Sequence, residues 1–288
     1  MCTRDEQMRD TRRGHPERRY FLMAFAISWS GAGILAVSSL LRRGTIDLFT
    51  GLMIFPAMLL GPSLSGVMNT WWAGGRARFK DLWSRVLRLR IAPAWYMVLL
   101  IPPATVLGIL WIFSIWVSPV FHPNHFWIGA SFGVAAGFLE EIGWMGFAFP
   151  ALAENRSALI AALQLGILWA LWHLPAIDYL GASAPHGAYW LPFFAVFALT
   201  MVAMRVLIAW AYVNTRSVWL AQLMHASSTG SLVVLSPHVT NMQETAWYCA
   251  YGVMLWLLVA GLVLITGSQL QRKPKQPAGR NAITSSHN

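Results

Sequence analysis

The stretch GFLEEIGWMGFAFP, residues 137–150, decides how this chain is read. It lies in the middle of a long apolar run, yet two carboxylates, Glu140 and Glu141, stand side by side where hydrocarbon is expected. An ionisable group inside a membrane span is expensive, and it is a functional hypothesis by default.

The rest of the chain fits that setting. Hydrophobic residues make up 57% of 288 positions and charged ones 11%, against roughly a quarter charged in an ordinary soluble domain. Sixteen tryptophans suit interfacial belts, where amphipathic rings sit at headgroup depth. The net charge of +10 does not point to nucleic acid, because the basic residues lie between apolar runs and face an anionic membrane surface instead. Cys2 and Cys249 form neither a CxxC motif nor a disulfide framework.

About eight apolar runs come near or above the roughly 20 residues that cross a bilayer: approximately 20–41, 49–73, 92–120, 127–153, 157–180, 190–212, 217–237 and 246–268. The expected fold is an all-α membrane protein, a polytopic bundle of about eight transmembrane helices. Residues 1–19 form a basic leader, 20–268 the membrane domain with its core at about 127–237, and 269–288 a polar tail. The first run follows six arginines and is too long for a cleaved signal peptide. With the N-terminus inside, every Lys and Arg except Arg42, Arg43 and Arg205 falls on cytoplasmic segments, as the positive-inside rule demands. Both termini are therefore expected in the cytoplasm, with a bacterial cytoplasmic membrane as the setting. The segment GGRARFKDLWSRVLRLRIAP, residues 74–93, mixes apolar and basic residues like an interfacial helix resting on anionic headgroups.

Consecutive helix positions point about 100° apart, so one glutamate of the pair can face a cavity while the other takes a structural partner. Two histidines share this apolar setting: His173 in WALWHLPAID, residues 169–178, and His225 in WLAQLMHASSTG, residues 219–230. Their imidazoles accept protons or bind metal, and a positioned glutamate serves as general base on water. Other catalytic patterns are missing. There is no HExxH and no GxGD, and GPSLSG at 61–66 lacks the strand-to-helix context of a serine elbow.

The elements EEIGWMGFAFP (140–150), WALWHLPAID (169–178) and NTRSVWLAQLMHASS (214–228) together resemble the successive motifs of the CPBP family of intramembrane proteases, which contains the CAAX-processing endopeptidases and bacterial Abi proteins. The resemblance runs from about residue 50 to 235. It implies that Glu140 deprotonates the attacking water, that His173 helps hold that water, and that His225 stabilises the oxyanion, with Glu141 orienting its surroundings. It leaves the metal open: Glu140, His173 and His225 could supply three zinc ligands, or could hold water directly. The implied substrate is a peptide or membrane protein, lipidated or plain, met within membrane lipids.

Two positions depart from the family pattern. Met145 stands where many relatives carry an arginine, so Glu141 needs another counter-charge, and Arg205 is the candidate. Thr229 stands where an asparagine is expected, so hydroxyls of Thr229 and Ser228 would have to support the oxyanion. A catalytically weakened pseudoprotease or substrate-binding scaffold is the alternative these departures raise.

Overall fold

The computed structural model describes residues 15–179, 186–239 and 241–271; most of the basic leader (1–14) and of the polar tail (272–288) lies outside them. Ten α-helices follow in chain order among the described residues: α1 Pro16–Arg43, α2 Leu48–Met58, α3 Leu60–Val86, α4 Ile101–Trp116, α5 Gly129–Gly143, α6 Phe149–Ala153, α7 Ala158–Trp172, α8 Trp190–Thr215, α9 Val218–Leu235 and α10 Asn241–Thr266. Helices α2 and α3 form one passage, a 3-10 stretch (Pro93–Leu100) leads into α4, and one turn of π-helix (Trp144–Ala148) joins α5 to α6. Eight apolar passages result, at the places the hydropathy pattern gives. Six are long and apolar enough to cross a membrane. The protein is a multi-pass integral membrane protein.

The passage at 158–172 is shorter than the sequence pattern suggests. Fifteen helical residues span about 22 Å at 1.5 Å each, less than the roughly 30 Å hydrocarbon core. The helix stops because Pro175 disfavours helical backbone at Leu174, the residue before it. His173 therefore sits on a broken helix end buried within the bundle.

Helix α5 is held from two sides by glycine. A Cβ on Gly137 would stand 2.3 Å from the Gln222 carbonyl oxygen of α9, and one on Gly143 would stand 2.1 Å from that of Pro62 on α3. Only hydrogen fits at either place, and such close backbone approach is how membrane helices gain packing without a hydrophobic drive between them. The Ser63 hydroxyl also donates to the Leu139 carbonyl. Sandwiched between α3 and α9, α5 presents its C-terminal carboxylates at a fixed depth. Helix α8 stands behind, with Met201 to Ala209 all buried.

Near its end α3 turns sharply. Gly75 has φ +54° and ψ −140°, a region open to glycine alone, and the limb after it runs on to Val86. The interfacial helix expected at 74–93 falls on this limb, which is helical only after Gly75 and ends at Val86. It buries Leu82 and Val86 and leaves Arg76, Arg78 and Lys80 exposed.

Candidate active site

Glu140 ends α5 with its side chain fully buried. Two indoles donate to one of its oxygens: Trp144 Nε1 lies 3.0 Å and Trp169 Nε1 2.9 Å from Oε2. Trp144 is one turn ahead on the same passage, while Trp169 comes from α7. The other oxygen, Oε1, is buried and has no hydrogen-bond partner in the protein. A carboxylate oxygen with its lone pairs unclaimed in a buried site is costly unless something polar comes to it.

Glu141 points round the helix to a different neighbourhood. Arg205 Nη1 lies 2.8 Å from each of its oxygens, and His225 Nδ1 lies 2.8 Å from Oε1. All three side chains are at most 1% exposed. Arg205 thus supplies the counter-charge that Met145, itself fully buried, does not. Its Nε and Nη2 find no hydrogen-bond acceptor. The guanidinium instead lies 4.1 Å from the centroid of the Trp169 ring, where the negative face of the indole offsets part of its desolvation.

The two histidines approach Trp169 edge-on, with ring centroids 5.3 Å (His173) and 5.0 Å (His225) away. His173 Nδ1 lies 2.8 Å from the Trp169 carbonyl. That oxygen has lost its helical donor, because the broken end sends the His173 N–H to Ala170 and Leu171. A carbonyl only accepts, so Nδ1 carries the proton and Nε2 of a neutral ring keeps its lone pair. By the same logic His225 Nδ1 donates to the Glu141 carboxylate. Glu140, Trp169, His173, His225, Thr229 and Tyr248 line one cavity of about 40 Å³, room for one to three waters at roughly 10–15 Å³ each.

Four of the six residues singled out from the sequence, Glu140, His173, His225 and Thr229, thus line one cavity beside the Trp169 indole, and Glu141 stands behind it, bonded to His225. Ser228 is buried on α9 beside Tyr251 of α10 and is not part of the cavity wall. Among the described residues no three His, Cys, Asp or Glu side chains converge as metal ligands. The donor set as placed does not fit a three-ligand zinc centre. The sequence motifs single out Glu140 but not its indole donors: Trp144 and Trp169 lie four and 29 residues away, and only the packing of α7 against this passage brings the second to the carboxylate.

Residues 122–231 match the family described as Rce1-like, type II CAAX prenyl endopeptidase. The chain is also 30% identical over 136 residues to CAAX prenyl protease 2 of Methanococcus maripaludis, covering 45% of this chain and 46% of that protein. The chain thus spans about half the length of the curated relative it matches. Both findings support a member of the CPBP/CAAX family, and the family match at 122–231 covers the part that holds the three motifs.

Proposed function

We propose that this CPBP/CAAX-family chain is an intramembrane endopeptidase that hydrolyses peptide bonds through water activated by Glu140. The observation that carries the reading is the division of labour between the two oxygens of Glu140. Oε2 is occupied by two indole N–H groups, so the carboxylate cannot rotate freely, and Oε1 is left to accept a proton in a cavity of water size.

In this mechanism a water sits between Glu140 Oε1 and Nε2 of neutral His173. Glu140 takes its proton as the oxygen attacks the peptide carbonyl carbon. The carbonyl oxygen becomes an oxyanion, which the Thr229 hydroxyl and the protonated form of His225, donating from Nε2, stabilise as pre-placed dipoles and charge. Glu140 then hands its proton to the leaving amine. Glu141 and Arg205 fix the His225 ring from behind. With His225 charged, the buried set of Glu140, Glu141, Arg205 and His225 is neutral as a whole.

The cavity holds the nucleophile but no peptide, so the substrate enters by parting the apolar wall formed by Phe55, Phe197, Met201 and Leu232. That wall suits a lipophilic or membrane-associated peptide, with a prenylated one as the class that CAAX proteases imply. The distribution of the basic segments supports a cytoplasmic side for both termini and the 74–93 limb. The deciding experiment is cleavage by the protein reconstituted in vesicles, offered a mixed library of lipidated and plain peptides and read by mass spectrometry. The reading requires product from the native protein and none from Glu140→Gln or His173→Ala. Equal product from all three would mean a contaminating protease and would end it.

A further inference from the structure

The Gly146 carbonyl lies in the π-turn that follows the two carboxylates, and the residue four positions on cannot donate to it. Four residues on stands Pro150, which has no N–H. A side chain fills the gap: Arg85 Nη1 lies 3.0 Å from Gly146 O and 2.8 Å from the Tyr212 hydroxyl of α8. Arg85 Nε meanwhile pairs with Asp81 at 3.0 Å. One turn earlier Leu82 is fully buried against Gly146, where a Cβ would meet its Cδ1 at 2.7 Å. At the far end the Ser217 hydroxyl, which caps α9, donates to Arg88 O at 2.7 Å. The limb 76–90 is thereby fastened to the three elements that carry Glu140 and Glu141, Arg205, and His225.

Its other face is charged and open. Arg76, Arg78, Lys80, Arg88 and Arg90 are exposed, and the one acid in the segment, Asp81, is already paired with Arg85. Exposed Trp71, Trp72, Leu87 and Leu89 flank them, the amphipathic mixture that lies at a headgroup boundary. Clustered cations next to a membrane span attract anionic lipid.

We propose that residues 76–90 are a seat for anionic phospholipid headgroups, and that Arg85 is a positioning residue through which occupancy of the seat sets the geometry of the π-turn and so the rate at Glu140. The second half rests on the protease reading. Arg85 touches no substrate; it donates to the Gly146 carbonyl within the π-turn. Lipid pinning the outer face holds Arg85 in place, and without it the limb can lift and the π-turn loses its donor.

The test compares vesicles of phosphatidylcholine with an equimolar mixture of phosphatidylcholine and phosphatidylglycerol. Peptide cleavage and amide hydrogen exchange at 76–90 and 144–153 are followed in each. In the native protein the anionic lipid should raise cleavage about fivefold, on the scale that several juxtamembrane cations allow, and slow exchange in both segments, and added salt should reduce both effects. Replacing Arg76, Arg78, Lys80, Arg88 and Arg90 by Gln should abolish the response. Arg85→Met should keep the slowed exchange at 76–90 but lose it at 144–153, and Arg85→Lys should recover part of it. If no membrane supports cleavage, the protease reading falls while exchange still decides the lipid seat. Equal rates and equal exchange in both membranes would overturn the proposal. So would protection of 76–90 that appears only when an acidic peptide is added, which would assign the surface to a peptide.

Discussion

The guanidinium of Arg205 lies over the ring of Trp169, 4.1 Å from its centroid, and through that contact one cation serves both carboxylates. Arg205 pairs directly with Glu141, while the indole beneath it donates to Glu140. Removing the cation should therefore damage more than one ion pair. In Arg205→Met the Glu141 carboxylate is left buried with only His225 beside it, a change that costs about 3–5 kcal/mol for a broken buried pair. Thermal unfolding in detergent should show the loss, and cleavage should fall with it. Arg205→Lys should recover less than half, because an ammonium does not stack on the Trp169 ring as a guanidinium does. An Arg205→Met protein as stable as the native one would show the pair to be dispensable.

Position 145 offers the converse experiment. Met145 is fully buried, and Glu141 already has its counter-charge. Met145→Arg should consequently bury a second cation without a vacant partner and lower the melting temperature without raising activity. A gain in activity would mean that Arg205 is an incomplete substitute.

Trp169→Phe keeps a ring under Arg205 and removes one of the two N–H groups that hold Glu140 Oε2. Hydrogen bonds to charged groups are worth about 1.5–3 kcal/mol, so kcat should drop roughly ten- to hundredfold while KM changes little. Trp144→Phe should do the same through the other donor. An unchanged kcat in both variants would show that the clamp on Oε2 plays no part in turnover.

Thr229→Val is nearly isosteric and takes away a single hydroxyl from the cavity wall. Loss of one oxyanion donor lowers kcat about 10²- to 10³-fold, and that is the expected size if Thr229 serves the oxyanion. A chelator should leave cleavage intact, since the described side chains do not converge on a metal.

Away from the site, His186 joins two passages: Nδ1 lies 3.0 Å from Asp178 and Nε2 2.9 Å from Glu244, with the ring stacked on Phe193 at 3.8 Å. Burial works against its charge, but the Glu244 and Asp178 carboxylates outweigh that and raise its pKa above 6.5. A histidine with a raised folded value contributes stability that is fully present below 6.5 and is lost as pH rises through the raised value. The melting temperature of the native protein should fall across that window. His186→Phe should flatten the dependence, and a slope that persists in the variant would locate the titrating group elsewhere.

Much of this was legible in the residues. Long apolar runs and the placement of arginines mark the passages, because hydrocarbon tolerates few alternatives. Glu140, His173 and His225 stand out because charge and imidazole are rare in such runs. Arg205 could be named as a candidate partner for Glu141 since it is the one cation within a passage, but 64 residues separate them and only packing of α8 against the bundle brings them together. The tryptophans were ambiguous: the same indole anchors a helix at headgroup depth or donates to a buried acid. The π-turn and the service of Arg85 to Gly146 had no signature beyond Pro150, and a proline in an apolar passage reads first as a kink.

The small volume of the cavity has one more consequence. A protease dissolved in a membrane is surrounded by peptide bonds, those of its own helices among them. On the proposed reading, a site of about 40 Å³ with space for a few waters and no peptide is latent by construction. It stays harmless to its neighbours until a chain arrives that can wedge the wall apart, and selection among substrates then falls to what opens the door more than to which bond lies behind it.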